Sequence, residues 1–223
     1  MKKNSLFVSI VSIGFFMLIG NPVPAQGLEW GVIGGPLLTK PVTKIGYSVS
    51  GLISEEEEDQ VNPFYAVFVK KRLRKRWHAD AQLGFSKYSY GTKSDYEDTQ
   101  FVQYSESVNK YSFVEFVVNN HFVLLEGKHG LSAFGGLGLA SVTRSTYTLV
   151  QYLDTQDVIS VTFDFEDKED NLHFFYQVGL QYMYSFESFA LLVRPFYKRF
   201  TEEQYVIPEK QLSAFGLGIG VQF

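Results

Sequence analysis

Leu212-Ser213-Ala214-Phe215-Gly216-Leu217-Gly218-Ile219-Gly220-Val221-Gln222-Phe223 ends the chain with two interleaved sets of residues. Phe215, Leu217, Ile219, Val221 and Phe223 form one set; Ala214, Gly216, Gly218, Gly220 and Gln222 form the other. A period of two puts the sets on opposite faces of a β-strand. A water-soluble sandwich turns its large apolar face inward and shows polar residues outside. Here the face opposite the apolar one is mostly glycine, which suits the crowded interior of a small closed barrel. The apolar face is therefore expected to look at lipid.

Seven stretches upstream read the same way, over 28–37, 62–72, 77–86, 111–124, 130–143, 172–184 and 188–200. In 172–184, Phe174, Tyr176, Val178, Leu180, Tyr182 and Tyr184 oppose Gln177, Gly179 and Gln181. In 62–72, Tyr65 and Val67 face lipid only if Phe64 and Phe68 face inward, which leaves that strand's register open. Pro195 asks for a bulge or a rim position, because a closed sheet hydrogen-bonds a strand on both sides. Short hydrophilic turns near Arg74-Lys75, Glu126–Gly130 and Ser185–Ser188 alternate with connections over 38–61, 93–107, 147–171 and 202–209. Alternating tight and long joins are the pattern of an outer-membrane barrel with periplasmic turns and extracellular loops. The expected fold is all-β: one eight-stranded antiparallel up-and-down transmembrane β-barrel over 26–223. It becomes ten strands if 147–171 adds a membrane-spanning pair. Trp30, Trp77, Tyr182, Tyr184 and Phe223 are expected in one aromatic girdle, and Tyr88, Tyr90, Tyr111 and Tyr197 in the other.

Composition and the N-terminus bound the rest. The chain has 223 residues, 17% of them aromatic, a net charge of -4 and no cysteine. One domain is the natural prior at this length. Without cysteine there is no disulfide scaffold, thiolate zinc site, cysteine nucleophile or lipidated N-terminal cysteine. The acidic balance argues against a nucleic-acid partner, whose binding needs a basic surface. Lys2 and Lys3, an apolar run from Leu6 to Gly20, and Val23 and Ala25 before a cut read as a cleaved signal peptide over 1–25. The run is too short to span a bilayer.

The closing strand, with its terminal Phe223, resembles the last strand of outer-membrane β-barrel proteins. Trp30-Gly31-Val32-Ile33-Gly34-Gly35 and Phe113-Val114-Glu115-Phe116 resemble the Bacteroidetes-type small barrels, the PorT-like and OmpA/OmpX-like group. The resemblance covers nearly all of 27–223. It implies eight strands, an outer-membrane location, and a Phe223 that the barrel assembly machinery reads as a signal. It implies no single activity.

The inward set Glu29, Asp80, Gln82, Glu115, Asn119, His121, Gln177, Gln181, Arg194 and Gln222 is expected to fill the lumen as a network, with Arg194 pairing Glu115 or a neighbouring acid. A gated solute path is the sharper alternative. Lys70, Lys71, Arg72, Arg74, Lys75 and Arg76 are expected at a periplasmic turn, against lipid phosphates. Glu55–Asp59 reads as a solvated loop. Catalysis would need a histidine near the outer leaflet. His78, His121 and His129 lie at the other end, while His173 has Asp164, Asp167 and Asp170 nearby. No G-x-S-x-G or H-E-x-x-H motif is present, so neither an enzyme nor a cofactor or metal site is expected. Val158–Phe165 alternates and reads as half of a protruding hairpin able to bind partners by strand addition. The expected role is structural, adhesive or partner-binding through 38–61 and 147–171, in a monomer. A lipocalin-like ligand-binding barrel and a secretion-system component are the alternatives.

Overall fold

The computed structural model describes residues 27–43, 52–96, 102–153, 157–165, 172–203 and 210–223. The proposed signal peptide lies outside them. Nine strands run through the described residues: β1 Leu28–Thr43, β2 Leu52–Arg74, β3 Trp77–Tyr96, β4 Val102–Leu125, β5 His129–Leu153, β6 Val158–Phe165, β7 Leu172–Ser185, β8 Ala190–Glu203 and β9 Lys210–Gln222. Each neighbouring pair is antiparallel, in the order β4-β3-β2-β1-β9-β8-β7-β5, and β4 closes on β5. Eight strands make the ring. β6 pairs only with the upper part of β5, so the ten-strand alternative does not hold.

Side-chain parity follows the period-two reading in every ring strand. Phe215, Leu217, Ile219 and Phe223 are exposed on the outside, and Ala214, Gly216, Gly218, Gly220 and Gln222 are buried inside. The open register of β2 resolves the same way: Tyr65 and Val67 face out, Phe64 and Phe68 face in. Inward glycines exist because aromatics cross the narrow lumen above them. A Cβ on Gly216 would run into the Phe196 ring, and one on Gly138 into the Phe175 ring. Large and small residues thus alternate to fill an interior only as wide as its side chains.

The three short turns lie at the end that carries both Leu28 and Phe223. Phe186 N–H donates to the Phe189 carbonyl at 2.8 Å in the last of them. Gly127, at φ 130°, gives the β4–β5 turn a left-handed residue that a side chain would strain. Pro195 needs neither bulge nor rim. It pairs with Leu217 in β9, and the β7 ladder runs from Gly179↔Phe196 to Tyr182↔Val193 with no change of register. Only the pairs opposite the proline are missing, so one local gap absorbs its lost N–H.

The expected loops are largely strand. β2 to β5 have 23, 20, 24 and 25 residues, against 13 to 16 for β1, β7, β8 and β9. One flank of the barrel therefore rises as a tall wall. Register shifts mark where it bends, between Asp59 and Phe64 in β2 and at Thr143 in β5. An extra residue in one strand bends and twists the pair. Glu55–Asp59, expected in a loop, stands in β2 opposite Tyr90–Ser94 of β3.

Candidate functional site

Asp80 is the centre of the lumen. It is fully buried on β3, and four side chains from three strands, β3, β4 and β8, converge on it. His121 Nε2 lies 2.6 Å from Oδ2, and Arg194 Nη2 donates to the same oxygen at 3.1 Å. Asn119 Nδ2 and Gln82 Nε2 donate to Oδ1 at 2.7 and 3.0 Å. A carboxylate taken out of water needs this many partners to stay ionised. Arg194 comes from β8, diametrically across the ring from β3. Its guanidinium also donates to Gln181 Oε1, from Nε at 3.1 Å and from Nη2, and lies between the rings of Phe68 and Phe134, at 5.5 and 5.1 Å.

A second layer sits farther from the turns. Lys198 Nζ donates to Glu115 Oε2 at 2.5 Å, and Tyr88 donates its hydroxyl hydrogen to Oε1 at 2.7 Å. Gln177, the ladder neighbour of Lys198, donates from Nε2 to Asn119 Oδ1 at 2.8 Å and so extends the Asp80 group toward this layer. Phe113, Phe175 and Phe200 cap the polar layers from above. At the turn end, Gln222 Nε2 donates to Glu29 Oε2 at 3.0 Å.

The inward residues expected to form one network fall into three hydrogen-bonded groups: Asp80 with Gln82, Asn119, His121, Gln177, Gln181 and Arg194; Glu115 with Lys198 and Tyr88; and Glu29 with Gln222. Two expectations fail. Lys70, placed at the membrane-surface turn, is a lumen residue, only 4% exposed, because it shares parity with Phe64 and Phe68. Tyr88, Tyr90 and Tyr111 are not girdle residues. They are buried inside, since outward-facing Phe85 and Lys87 leave Tyr88 pointing in. His173 does not meet Asp164: the imidazole is buried against Phe113 and Phe200, while Asp164 lies exposed on β6, 3.5 Å from Arg144. Asp167 and Asp170 lie outside the described residues. Lys71 is half-buried, and Arg72, Arg74, Lys75 and Arg76 are exposed around the β2–β3 turn, as expected.

The tall wall is the second candidate. Tyr147 and Phe163 stack at 6.3 Å across β5 and β6, and Thr148 and Thr162 hydrogen-bond at 3.2 Å. Leu153 N–H donates to the Asp157 carbonyl at 3.0 Å and closes the hairpin. Val158, Ile159, Val161 and Phe163 are exposed, and the far edge of β6 has no strand partner among the described residues. At the wall's other end, Glu58 takes a 2.5 Å contact from Lys93, which pushes the lysine pKa up through that hydrogen bond and its charge. Asp59 lies 2.9 Å from Lys40.

No family model and no curated protein matches the chain. Among solved structures it is similar to Ail, the attachment invasion locus protein of Yersinia pestis, seen with the heparin analogue sucrose octasulfate. Identity is 12% over 89% of this chain and 100% of that one, at a TM-score of 0.44. The outer membrane protease OmpT of Escherichia coli shares 8% identity over 90% of this chain and 97% of its own, at 0.45. The outer membrane protein OprG of Pseudomonas aeruginosa shares 9% over 88% and 96%, at 0.34. At these scores the strand pairings, not the likenesses, establish an eight-stranded antiparallel barrel.

Proposed function

We propose that the chain is an integral outer-membrane barrel that binds a protein partner through its tall wall and does no chemistry. The membrane part of this reading is supported by the height of the outward apolar rows. They run over Trp30–Leu38, Val61–Val69, Trp77–Phe85, Phe215–Phe223 and, on β7, Phe174–Tyr184. Each is nine to eleven residues along the strand, the length that crosses a hydrocarbon layer when tilted. Above them the outer face turns polar at Lys87, Ser112 and Lys110. So large an apolar belt on a water-soluble surface would aggregate. A lipocalin-like reading has less support, since the lumen holds ion pairs and rings in place of an apolar pocket.

The partner-binding part rests on one observation: the β5–β6 hairpin stands beyond the belt, and the far edge of β6 has no strand partner among the described residues. Such an edge invites another strand. Finer family membership, with the Bacteroidetes-type PorT-like barrels or as part of a secretion system, belongs to the same proposal. So do the reading of Phe223 by the assembly machinery, and contact of Lys71, Arg72, Arg74, Lys75 and Arg76 with lipid phosphates. Membrane fractionation with heat-modifiable gel mobility tests the first part; a soluble periplasmic pool would overturn it. Photo-crosslinking from position 162 in intact cells tests the second. A specific protein adduct that Val161→Pro abolishes is expected, and none in either chain would count against partner binding.

A further inference from the structure

On one side of the barrel the apolar belt ends in a cluster of cations. Phe85 of β3 and Val114 of β4 pair across the outer wall, and the next outward rung pairs Lys87 with Ser112. Ser112 also stands opposite Arg144 of β5, so a cation flanks it on either side. Lys110, two residues farther along β4, lies opposite Ser89 and Thr146. It is therefore the diagonal neighbour of both Lys87 and Arg144, about 7–8 Å from each. All three cations are exposed. One acid meets them: Asp164 lies 3.5 Å from Arg144, and both side chains are well exposed, so the pair is weak. Lys87 and Lys110 have no ion pair among the described residues. Glu106, farther up β4, accepts from the Tyr104 hydroxyl at 2.8 Å and stands opposite Lys93. Like charges gathered in this way repel, and an anion among them removes that cost.

An apolar groove of about 670 Å³ lies directly beneath the cluster, on the outer wall. One rung of it runs through Gly34, Tyr65, Phe85 and Val114, and the rung below through Val32 and Val67. Gly34 opens it, because the outward row of β1 has no side chain there, between Val32 and Pro36. At its β4 end the groove reaches Phe85 and Val114, the last apolar rung below Lys87 and Ser112. A free inorganic anion would use the cations and not the groove. A lipid without net charge would use the groove and leave the cations unanswered. A lipid with an anionic phosphate headgroup uses both.

Resting on the reading of the belt as membrane-embedded, we propose that this face holds one phosphorylated lipid of the leaflet on the tall-wall side. Its phosphates lie among Lys87, Lys110 and Arg144, and one acyl chain lies along the groove. Arg144 presents a planar fork to a phosphate, and the two lysines act as point charges. The site is separate from the basic β2–β3 turn, which stands at the opposite end of the strands.

The test is native mass spectrometry of the barrel, purified from membranes in detergent, with diphosphorylated lipid A as the probe. Retention of one lipid A, at least tenfold better than of the same lipid stripped of its phosphates, is expected; equal retention of the two would overturn the site. Lys87→Gln/Lys110→Gln/Arg144→Gln should bind on the order of a hundredfold more weakly, the sum of three charges near the surface. Lys87→Arg/Lys110→Arg should bind as wild type does. Val32→Trp, which fills the groove and keeps the belt apolar, should weaken retention, and unchanged retention would overturn the seating of the chain. Arg72→Gln/Arg74→Gln/Arg76→Gln should change nothing; loss of lipid A in that variant alone would place the site at the turns and overturn this one. Should the triple variant at the cluster not fold, the wild-type contrast between the two lipids still decides. A chain found soluble would overturn the membrane reading itself, whereas an inserted barrel without the phosphate preference would overturn only the lipid site.

Discussion

Trp30 and Phe223 stack with their ring centroids 4.8 Å apart, across the seam where the last strand meets the first. The backbone joins at the same place: Phe223 N–H donates to the Trp30 carbonyl at 2.7 Å, and Trp30 N–H donates to the Phe223 carbonyl at 3.1 Å. The C-terminal aromatic is thus a structural clasp as well as a candidate assembly signal. Phe223→Ala keeps the backbone bonds and loses the ring contact, worth about 1 kcal/mol beyond its area. Purified Phe223→Ala should unfold at slightly lower urea than wild type. A far larger loss of membrane-inserted protein in cells than this small destabilisation accounts for would assign Phe223 a signalling role too; equal losses would leave only the clasp.

Breaking the trans-lumen tie is expected to be costly. Arg194→Gln leaves Asp80 buried without its guanidinium, and uncompensated buried charges cost roughly 3–5 kcal/mol. Asp80→Asn/Arg194→Gln removes both charges and should recover a substantial part of that loss. Urea unfolding of the three variants, followed by gel mobility, gives the comparison.

Gly138→Val would push a side chain into the Phe175 ring. Overpacking of this kind costs about 1–3 kcal/mol. Pairing it with Phe175→Leu should restore much of the stability. A double variant no better than the single would show that the backbone, not the ring, sets the limit.

Depth should govern charge on the outer wall. Val67→Arg, in the middle of the apolar row of β2, is expected to cost about 2–4 kcal/mol. Thr148→Arg, on the protruding part of β5, should change little. Equal effects measured in lipid vesicles would argue against a membrane-embedded belt.

Val161→Pro is expected to loosen β6 without unfolding the ring, since β6 pairs only with β5. Protease treatment of intact cells should then cut within 157–171 faster than in wild type. Unchanged cleavage would mean that the hairpin edge is not set by β6 pairing.

Parity is legible from the sequence wherever one face is plainly apolar, so β9, β7 and the inward-facing polar set can be read from the residues alone, whereas the choice of Asp80 over Glu115 as the partner of Arg194 depends on which strands lie opposite in the ring. The same parity, carried two residues beyond Phe85, would have turned Tyr88 and Tyr90 inward. Residue type alone, which favours tyrosine at a rim, points the other way. Lys70 was hidden inside a basic run whose composition suggested a surface. The tall wall was invisible for another reason. Beyond the lipid a strand needs no apolar face, so Glu55–Asp59 stays extended through cross-strand pairing and the Lys93–Glu58 contact. Periodic hydrophobicity carries no signal there.

The Asp80–Arg194 tie joins groups 114 residues apart in the chain. An acid committed early in the chain therefore waits for a cation delivered by the next-to-last strand. Until β8 and β9 are seated, the interior carries a carboxylate without its answering guanidinium, and a partly closed sheet gains little from dwelling in that state. The lumen thus acts as a completeness check: a ring that is short of its final hairpin, or that closes in the wrong register, is penalised at its centre and not only at its seam.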